Sequence, residues 1–165
     1  MSLSVLAGHA LFPRVLELVA LDAGAAAQGA ADWRPEVLSP EQGRVLAEIV
    51  ETIIPATDTP GATAARVHVF VDLMLAHCTP AEPRRTAIAA IDTLGERFLA
   101  ASPDERLAQL QAIDAGALAL LKELTILGYC NSQIGATQAL AYVKVPGEYR
   151  GCIPLGPDQR AWATR

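Results

Sequence analysis

The chain has 165 residues, of which 52% are hydrophobic and 19% are charged, and its net charge is −5 at pH 7. This length allows one domain with its own core, or one domain with a tail, and the apolar content excludes a disordered chain. An acidic composition does not supply the positive surface that nucleic-acid binding requires, so we expect no nucleic-acid partner.

The first 38 residues differ in composition from the rest of the chain. Residues 3–12 are apolar and rich in small side chains, but they fall short of the roughly 20 residues of a membrane-spanning helix. We therefore expect no transmembrane helix. Apolar residues at helical spacing from Phe12 to Val19 favour a first core helix, whereas the apolar run resembles a truncated export signal without its basic region. Residues 22–38 then form a connector, which Trp33 is expected to hold against the domain.

Helix starts are clearly marked after residue 38. Three segments place Ser or Thr before a proline, with Gln or Glu three positions after the hydroxyl residue, as in a capping box. They are Ser39-Pro40-Glu41-Gln42, Thr79-Pro80-Ala81-Glu82 and Ser102-Pro103-Asp104-Glu105. We predict helices from residue 40 to the break at Pro55, and over residues 62–77, 80–100, 103–113 and 115–129.

The apolar stripes of these helices predict the core. The inward-facing residues are expected to be Leu46, Ile49, Val50, Ile53, Val67, Phe70, Val71, Met74, Ile88, Ile91, Leu94, Phe98, Leu107 and Leu110. Residues 115–129 are apolar on nearly every side, which is typical of a central core helix or a partner-binding helix. The only segment suggestive of a strand is 141–145. The prediction is an all-α orthogonal bundle of about five to seven helices, with an N-terminal region at 1–38, a helical domain at 39–155 and an extended, irregular C-terminal tail at 156–165.

Sequence motifs for catalysis or cofactor binding are absent. The chain contains no GxGxxG, P-loop, HExxH, CxxC or CxxCH pattern, so we expect no catalytic, cofactor-binding or metal site. His68 and Asp72 are four residues apart on one predicted helix, but no further ligand is evident, and a solvated His–Asp pair is the favoured interpretation.

Three cysteines, Cys78, Cys130 and Cys152, leave three interpretations open. Cys78 could act as a nucleophile with a neighbouring histidine, although the sequence shows neither an orienting base nor an oxyanion donor. The cysteines could instead remain free thiols. If the protein is exported, a disulfide becomes more plausible, and Cys78–Cys152 is the preferred pair.

Two blocks of the sequence resemble the gluconate 2-dehydrogenase subunit 3 family. The first, residues 38–75, contains IIPATDTPGA at 53–62, then Val67 and Phe70-Val71-Asp72. The second, residues 121–155, contains ELT at 123–125, LGY at 127–129, Ser132, IGAT at 134–137, Tyr142, VPG at 145–147, Tyr149 and GCIPL at 151–155. With the helical spacer between them, the resemblance covers residues 38–155.

The resemblance implies a cofactor-free small subunit of a membrane-associated sugar or sugar-acid dehydrogenase. In such complexes a large flavoprotein of the glucose–methanol–choline type binds FAD and oxidises gluconate or the 3-hydroxyl of a glucoside, and a multihaem cytochrome c often accepts the electrons. The small subunit usually carries a twin-arginine signal and assists folding, stability and export of the flavoprotein. This chain departs from that pattern, because its one Arg-Arg pair is Arg84-Arg85. The expected location is the periplasm, at the inner membrane through the complex, or the cytoplasm if no export signal precedes the chain.

The C-terminal third is the expected partner-binding region. All three tyrosines lie there, and tyrosine is enriched at interfaces. The candidate partner-binding residues are Tyr129, Ile134, Thr137, Tyr142, Pro146 and Tyr149, and we predict that residues 134–155 contact the flavoprotein. The alternative is that the tyrosines pack the tail onto its own bundle. At the level of function, the alternative is a stand-alone helical binding module or a chaperone-like adaptor.

Overall fold

A computed structural model describes residues 33–145, 147–148, 152, 154 and 156–163. The chain divides into two units, Met1–Arg34 and Pro35–Arg165, and all of the described residues except Trp33 and Arg34 belong to the second unit. The two interpretations of residues 3–21, a core helix or an export signal, concern residues outside those described.

The second unit is built from helices, which confirms the all-α prediction. The helices are α1 (Pro40–Ile53), α2 (Val67–His77), α3 (Ala81–Ala100), α4 (Pro103–Gln111), α5 (Ala115–Asn131) and a short π-helix (Gly135–Ala139). None of the described helices is long and apolar enough to cross a membrane. Orthogonal packing of the bundle stays a prediction.

Two of the three predicted capping boxes form. At α1, Ser39 Oγ accepts from the Gln42 N–H at 3.1 Å and Gln42 Oε1 accepts from the Ser39 N–H at 2.7 Å, and Ser102 and Glu105 repeat this arrangement at α4. The third prediction is wrong, since α3 begins one residue later and has no side-chain cap. The Thr79 hydroxyl instead donates to the carbonyl oxygen of Met74 at 2.9 Å. It therefore caps the C-terminal end of α2.

The start of α2 and the interior of α3 differ from the prediction, and in both the backbone conformation of one residue is the reason. We predicted that the second helix starts at residue 62, but it starts at Val67, because Arg66 has φ 54° and ψ 31°. That left-handed conformation cannot continue a right-handed helix. Gly95 has φ 53° inside α3 and kinks it, a conformation that glycine adopts at little steric cost.

Helix α5 is the centre of the bundle, since it contacts each of the other four α-helices and the π-helix. Gly128 allows α2 to approach closely, because a Cβ there would lie 2.6 Å from Phe70 Cδ1. The largest fully buried side chains of the domain include Leu46, Ile49, Leu75, Ile91, Phe98, Leu110 and, on α5 itself, Leu121. Burial of each such side chain contributes about 1.5–3 kcal/mol. Leu107, which we predicted to face inward, is exposed by 47%, since the short helix α4 buries Leu110 instead.

Arg106 joins three helices at one end of the bundle. Its guanidinium donates to the carbonyl oxygens of Phe98 at 2.9 Å and Leu99 at 2.7 Å, which are in the last turn of α3. It also pairs with Glu48 of α1. The positive charge therefore satisfies the terminal carbonyl groups of α3 and lies at the favourable end of its dipole.

After the π-helix the chain folds back, so that Trp162 lies beside Ala141. The Ala141 N–H donates to the Ala161 carbonyl at 2.7 Å, and the Ala163 N–H donates to the Ala141 carbonyl at 3.0 Å, which makes an isolated parallel bridge between Ala141 and Trp162. The strand suggested for 141–145 is therefore reduced to this one bridge within the described residues. Part of the predicted tail, at 161–163, is held against the end of the helical domain.

Candidate partner-binding site

The loop between α1 and α2, residues 54–66, is organised by one carboxylate. Glu51 Oε1 accepts from the Ala56 N–H at 3.0 Å and Oε2 accepts from the Thr63 N–H at 2.8 Å. Gly61 leaves room for this side chain, because a Cβ there would lie 2.1 Å from Oε1. The loop thus has a defined shape although residues 55–58 are exposed.

Tyr129 ties α5 to this loop. Its hydroxyl donates to the Pro60 carbonyl oxygen at 2.7 Å, and its side chain is only 6% exposed. Tyr129 was predicted to bind a partner, but the structure places it in the core of the domain. For this tyrosine the packing alternative is the one that the structure supports.

A tight turn follows α5 and sets the position of the π-helix. Ser132 Oγ donates to the Tyr129 carbonyl at 2.7 Å and accepts from the Gly135 N–H at 2.9 Å. Gly135 is packed so closely that a Cβ would lie 1.9 Å from the Tyr129 oxygen. Ile134 is half-buried against the core, whereas Thr137 is exposed. Of these two predicted partner-binding residues, only Thr137 is exposed, and the prediction that they bind a partner stays a prediction.

Exposed apolar side chains are concentrated after residue 125. Among the described residues, seven large apolar side chains are exposed, and six of them lie in this last part of the chain. These are Ile126, Leu127, Tyr142, Val143, Val145 and Trp162. We call these six residues the C-terminal apolar set. Tyr142, a predicted partner-binding residue, is 48% exposed, while Pro146 and Tyr149 lie outside the described residues.

Comparison with known proteins identifies the family. The family model described as gluconate 2-dehydrogenase subunit 3 matches residues 40–147, which is more than half of the chain. The chain belongs to the gluconate 2-dehydrogenase subunit 3 family. No curated protein and no solved structure matches it significantly. Family membership implies a subunit of a gluconate 2-dehydrogenase complex.

The match to gluconate 2-dehydrogenase subunit 3 includes most of the first block and the second block as far as residue 147, so it contains both Pro60 and Tyr129. Sequence reasoning did not single out Glu51, although one signal was available. An acidic side chain in the last turn of a helix opposes the helix dipole, so its presence there suggests another role. Sequence reasoning also did not single out Ile126 and Leu127 as exposed residues. The available signal was that apolar residues occupy nearly every side of α5, more than one buried face requires.

The His–Asp pair of this family member is buried, which corrects the expectation that it is solvated. Asp72 is fully buried and accepts backbone N–H groups from residues 36–38. His68 is also buried, and its pKa is lowered to about 4, first by burial and second by the positive charge of Arg66. His68 is therefore neutral at pH 7. His77, further along α2, pairs with Glu36 at 2.5 Å.

The remaining candidate groups for metal binding and thiol chemistry are the acidic, histidine and cysteine side chains outside this pair. In the portion of the chain that the structure describes, no three His, Cys, Asp or Glu side chains are grouped so that they could hold a metal ion. Cys78, Cys130 and Cys152 are free thiols, and the first and last of these are exposed. The Cys78–Cys152 disulfide is thus not formed in the structure, and its formation in an exported protein stays a prediction.

Proposed function

We propose that this chain is the non-catalytic small subunit of an FAD-dependent sugar or sugar-acid dehydrogenase of the gluconate 2-dehydrogenase or glucoside 3-dehydrogenase type. Its role is to support folding, stability and export of the flavoprotein large subunit. The match to gluconate 2-dehydrogenase subunit 3 across residues 40–147 carries this proposal. FAD belongs to the large subunit, and a multihaem cytochrome c is a further candidate partner.

The C-terminal apolar set is the proposed contact surface for the flavoprotein. Ile126 and Leu127 lie on the outer face of α5, which also carries Lys122 and Glu123 one turn earlier. Interfaces commonly combine an apolar centre with a charged rim, and exposed apolar surface on a subunit often marks a binding site. This surface extends the predicted region, residues 134–155, back onto the last turns of α5.

Trp162 and Tyr142 contribute the aromatic part of the proposed surface. The bridge between Ala141 and Trp162 holds Trp162 beside the start of the 142–145 segment. Tyr142, Val143 and Trp162 are all exposed. Tyr and Trp are among the residues that most often dominate binding energy at interfaces. A partner that covers them would remove this aromatic surface from water.

The proposed location follows from the proposed partner. A small subunit that accompanies a flavoprotein of this type would reside in the periplasm, at the inner membrane through the complex. Fractionation of the host, with this chain and the flavoprotein followed together, tests the location. Recovery of the chain in the cytoplasm, with the flavoprotein in the periplasm, would contradict it.

Affinity purification of the tagged chain from its own host tests the function. We expect a large polypeptide to co-purify and the visible spectrum to show flavin. Additional c-type haem bands would indicate a three-subunit complex. A folded, colourless chain that purifies alone would contradict the proposal and favour a stand-alone binding or chaperone-like module.

A further inference from the structure

Residues 36–38, which precede α1, all donate backbone N–H groups to one buried side chain of α2, that of Asp72. The Glu36 N–H donates to Asp72 Oδ2 at 2.7 Å, while the N–H groups of Leu38 and Val37 lie 3.3 and 3.4 Å from Oδ1. Asp72 is fully buried. A buried carboxylate needs such donors, because desolvation without hydrogen bonds is strongly unfavourable.

The same short segment has two further attachments. The Glu36 carboxylate lies 2.5 Å from Nε2 of His77, five positions after Asp72 on α2. The side chain of Leu38 is buried and Val37 packs against the core cluster. Residues 36–38 therefore combine backbone, ionic and apolar contacts in three consecutive positions, and we call them the strap.

We propose that the strap is a latch that opens and closes as a unit, with Asp72 as the residue that holds it shut. The hydrogen bonds of all three strap amides end on one carboxylate, so loss of that carboxylate releases them together. The helix-to-helix packing around α5 does not pass through these bonds. Opening also withdraws Leu38 from the core cluster, but it breaks none of the contacts between α5 and the other helices, so the strap opens by a local fluctuation while the bundle stays folded.

The position of the strap determines whether Asp72 and Leu38 are covered or exposed. Closure covers the Asp72 carboxylate and buries Leu38, and it fixes the point at which the chain enters α1. Opening exposes Asp72 and the apolar side chains of the strap, and it releases residues 36–38 from α2. This conformational device is separate from the C-terminal apolar set and does not depend on the proposed function.

Amide hydrogen exchange on the full chain, read residue by residue by NMR, tests the latch. In the wild-type protein we expect the amides of residues 36–38 to exchange with similar opening equilibria, and faster than the amides of Leu121 and Thr125 in α5. In Asp72→Asn, exchange of the three strap amides should rise by about tenfold or more, because a charge-assisted acceptor is lost. The α5 amides should change by less than about threefold.

Two further variants keep the test decisive. Asp58→Asn removes a carboxylate from an exposed loop position and should leave strap exchange unchanged. His77→Gln removes the ion pair but leaves Asp72 in place, so it should raise strap exchange by less than Asp72→Asn does and keep the fold if Asp72→Asn loses it. The proposal is overturned if the strap and α5 amides of the wild type share one opening equilibrium, or if neither Asp72→Asn nor His77→Gln changes strap exchange.

Discussion

The hydroxyl of Tyr129 donates a 2.7 Å hydrogen bond to the carbonyl oxygen of Pro60, 69 residues earlier in the chain. This bond connects the two blocks of sequence in which the family resemblance lies. The loop that contains Pro60 is also held by Glu51, which accepts hydrogen bonds from the N–H groups of Ala56 and Thr63. Both blocks thus contribute to one structural unit, formed by the 54–66 loop and the C-terminal half of α5.

Tyr129→Phe should destabilise the domain by about 1 kcal/mol, because the part-buried carbonyl of Pro60 loses its donor while the ring stays in place. Urea denaturation followed by circular dichroism measures the change. Tyr142→Phe is the matched control, since Tyr142 is exposed, and it should change stability by less than about 0.5 kcal/mol. Equal effects of the two changes would show that the Tyr129–Pro60 bond does not stabilise the loop.

Glu51 and Gly61 should be strongly coupled in a double-mutant cycle. Glu51→Ala removes the acceptor for two loop N–H groups and should cost about 1–3 kcal/mol. Gly61→Ala forces the Glu51 carboxylate away from the same N–H groups, because the new Cβ would lie 2.1 Å from Oε1. In the Glu51→Ala background, the Gly61 substitution should therefore lose most of its effect. Additive free energies of unfolding would contradict this account.

Burial of His68 should make the domain less stable in mild acid. Its pKa in the folded protein is lowered to about 4 from 6.5, so the unfolded chain takes up the proton first as the pH falls. Above about pH 7 the titration of His68 does not change the free energy of unfolding. By linkage, the free energy of unfolding then falls by about 3 kcal/mol as the pH is lowered from 6.5 to about 4. The measurement is the free energy of unfolding against pH for wild type and His68→Gln. The difference between the two curves should be flat above pH 7 and slope between pH 6.5 and 4. A flat difference throughout would show that His68 is not a buried neutral group.

Arg106→Met should destabilise the domain by about 2–3 kcal/mol. The substitution leaves the terminal carbonyl groups of Phe98 and Leu99 without their donor and leaves Glu48 without its ion pair. Arg97→Met is the control, because the Arg97 side chain is exposed and its hydrogen bond to the Thr93 carbonyl oxygen lies within its own helix. It should change the unfolding free energy by less than about 0.5 kcal/mol. Thermal or urea denaturation that ranks the two variants equally would refute the role assigned to Arg106.

Much of the fold was predictable because its signals are local. A hydroxyl residue, a proline and a reciprocal Gln or Glu define the starts of α1 and α4 within four residues each. The prediction failed at α3, where the Thr79 hydroxyl bonds back to Met74. It also failed at α2, where Arg66 adopts a left-handed conformation. Both outcomes depend on neighbouring chain segments, which a local pattern does not contain.

The candidate site was less predictable, because burial depends on tertiary contacts. Tyr129 and Tyr142 belong to the same residue type and region, yet one is buried and the other exposed, and the sequence left both interpretations open. The exposed residues Ile126 and Leu127 lie on α5. Its apolar pattern is compatible with a central core helix and with a partner-binding helix, so the sequence did not distinguish the two. Only the packing of α5 shows which of its faces is left uncovered.

The most direct test of the central claim is the amount of flavin that co-purifies with each tagged chain, measured by visible absorbance. Leu127→Ser alters the C-terminal apolar set at a residue that is 44% exposed, and Leu107→Ser is a matched control on α4 at 47% exposure. We predict a flavin-containing complex for wild type and Leu107→Ser, and at least about a fivefold loss of flavin for Leu127→Ser, with unchanged helix content in all three. A wild-type chain that purifies folded but without flavin, or an equal flavin yield from the two serine variants, would contradict the account.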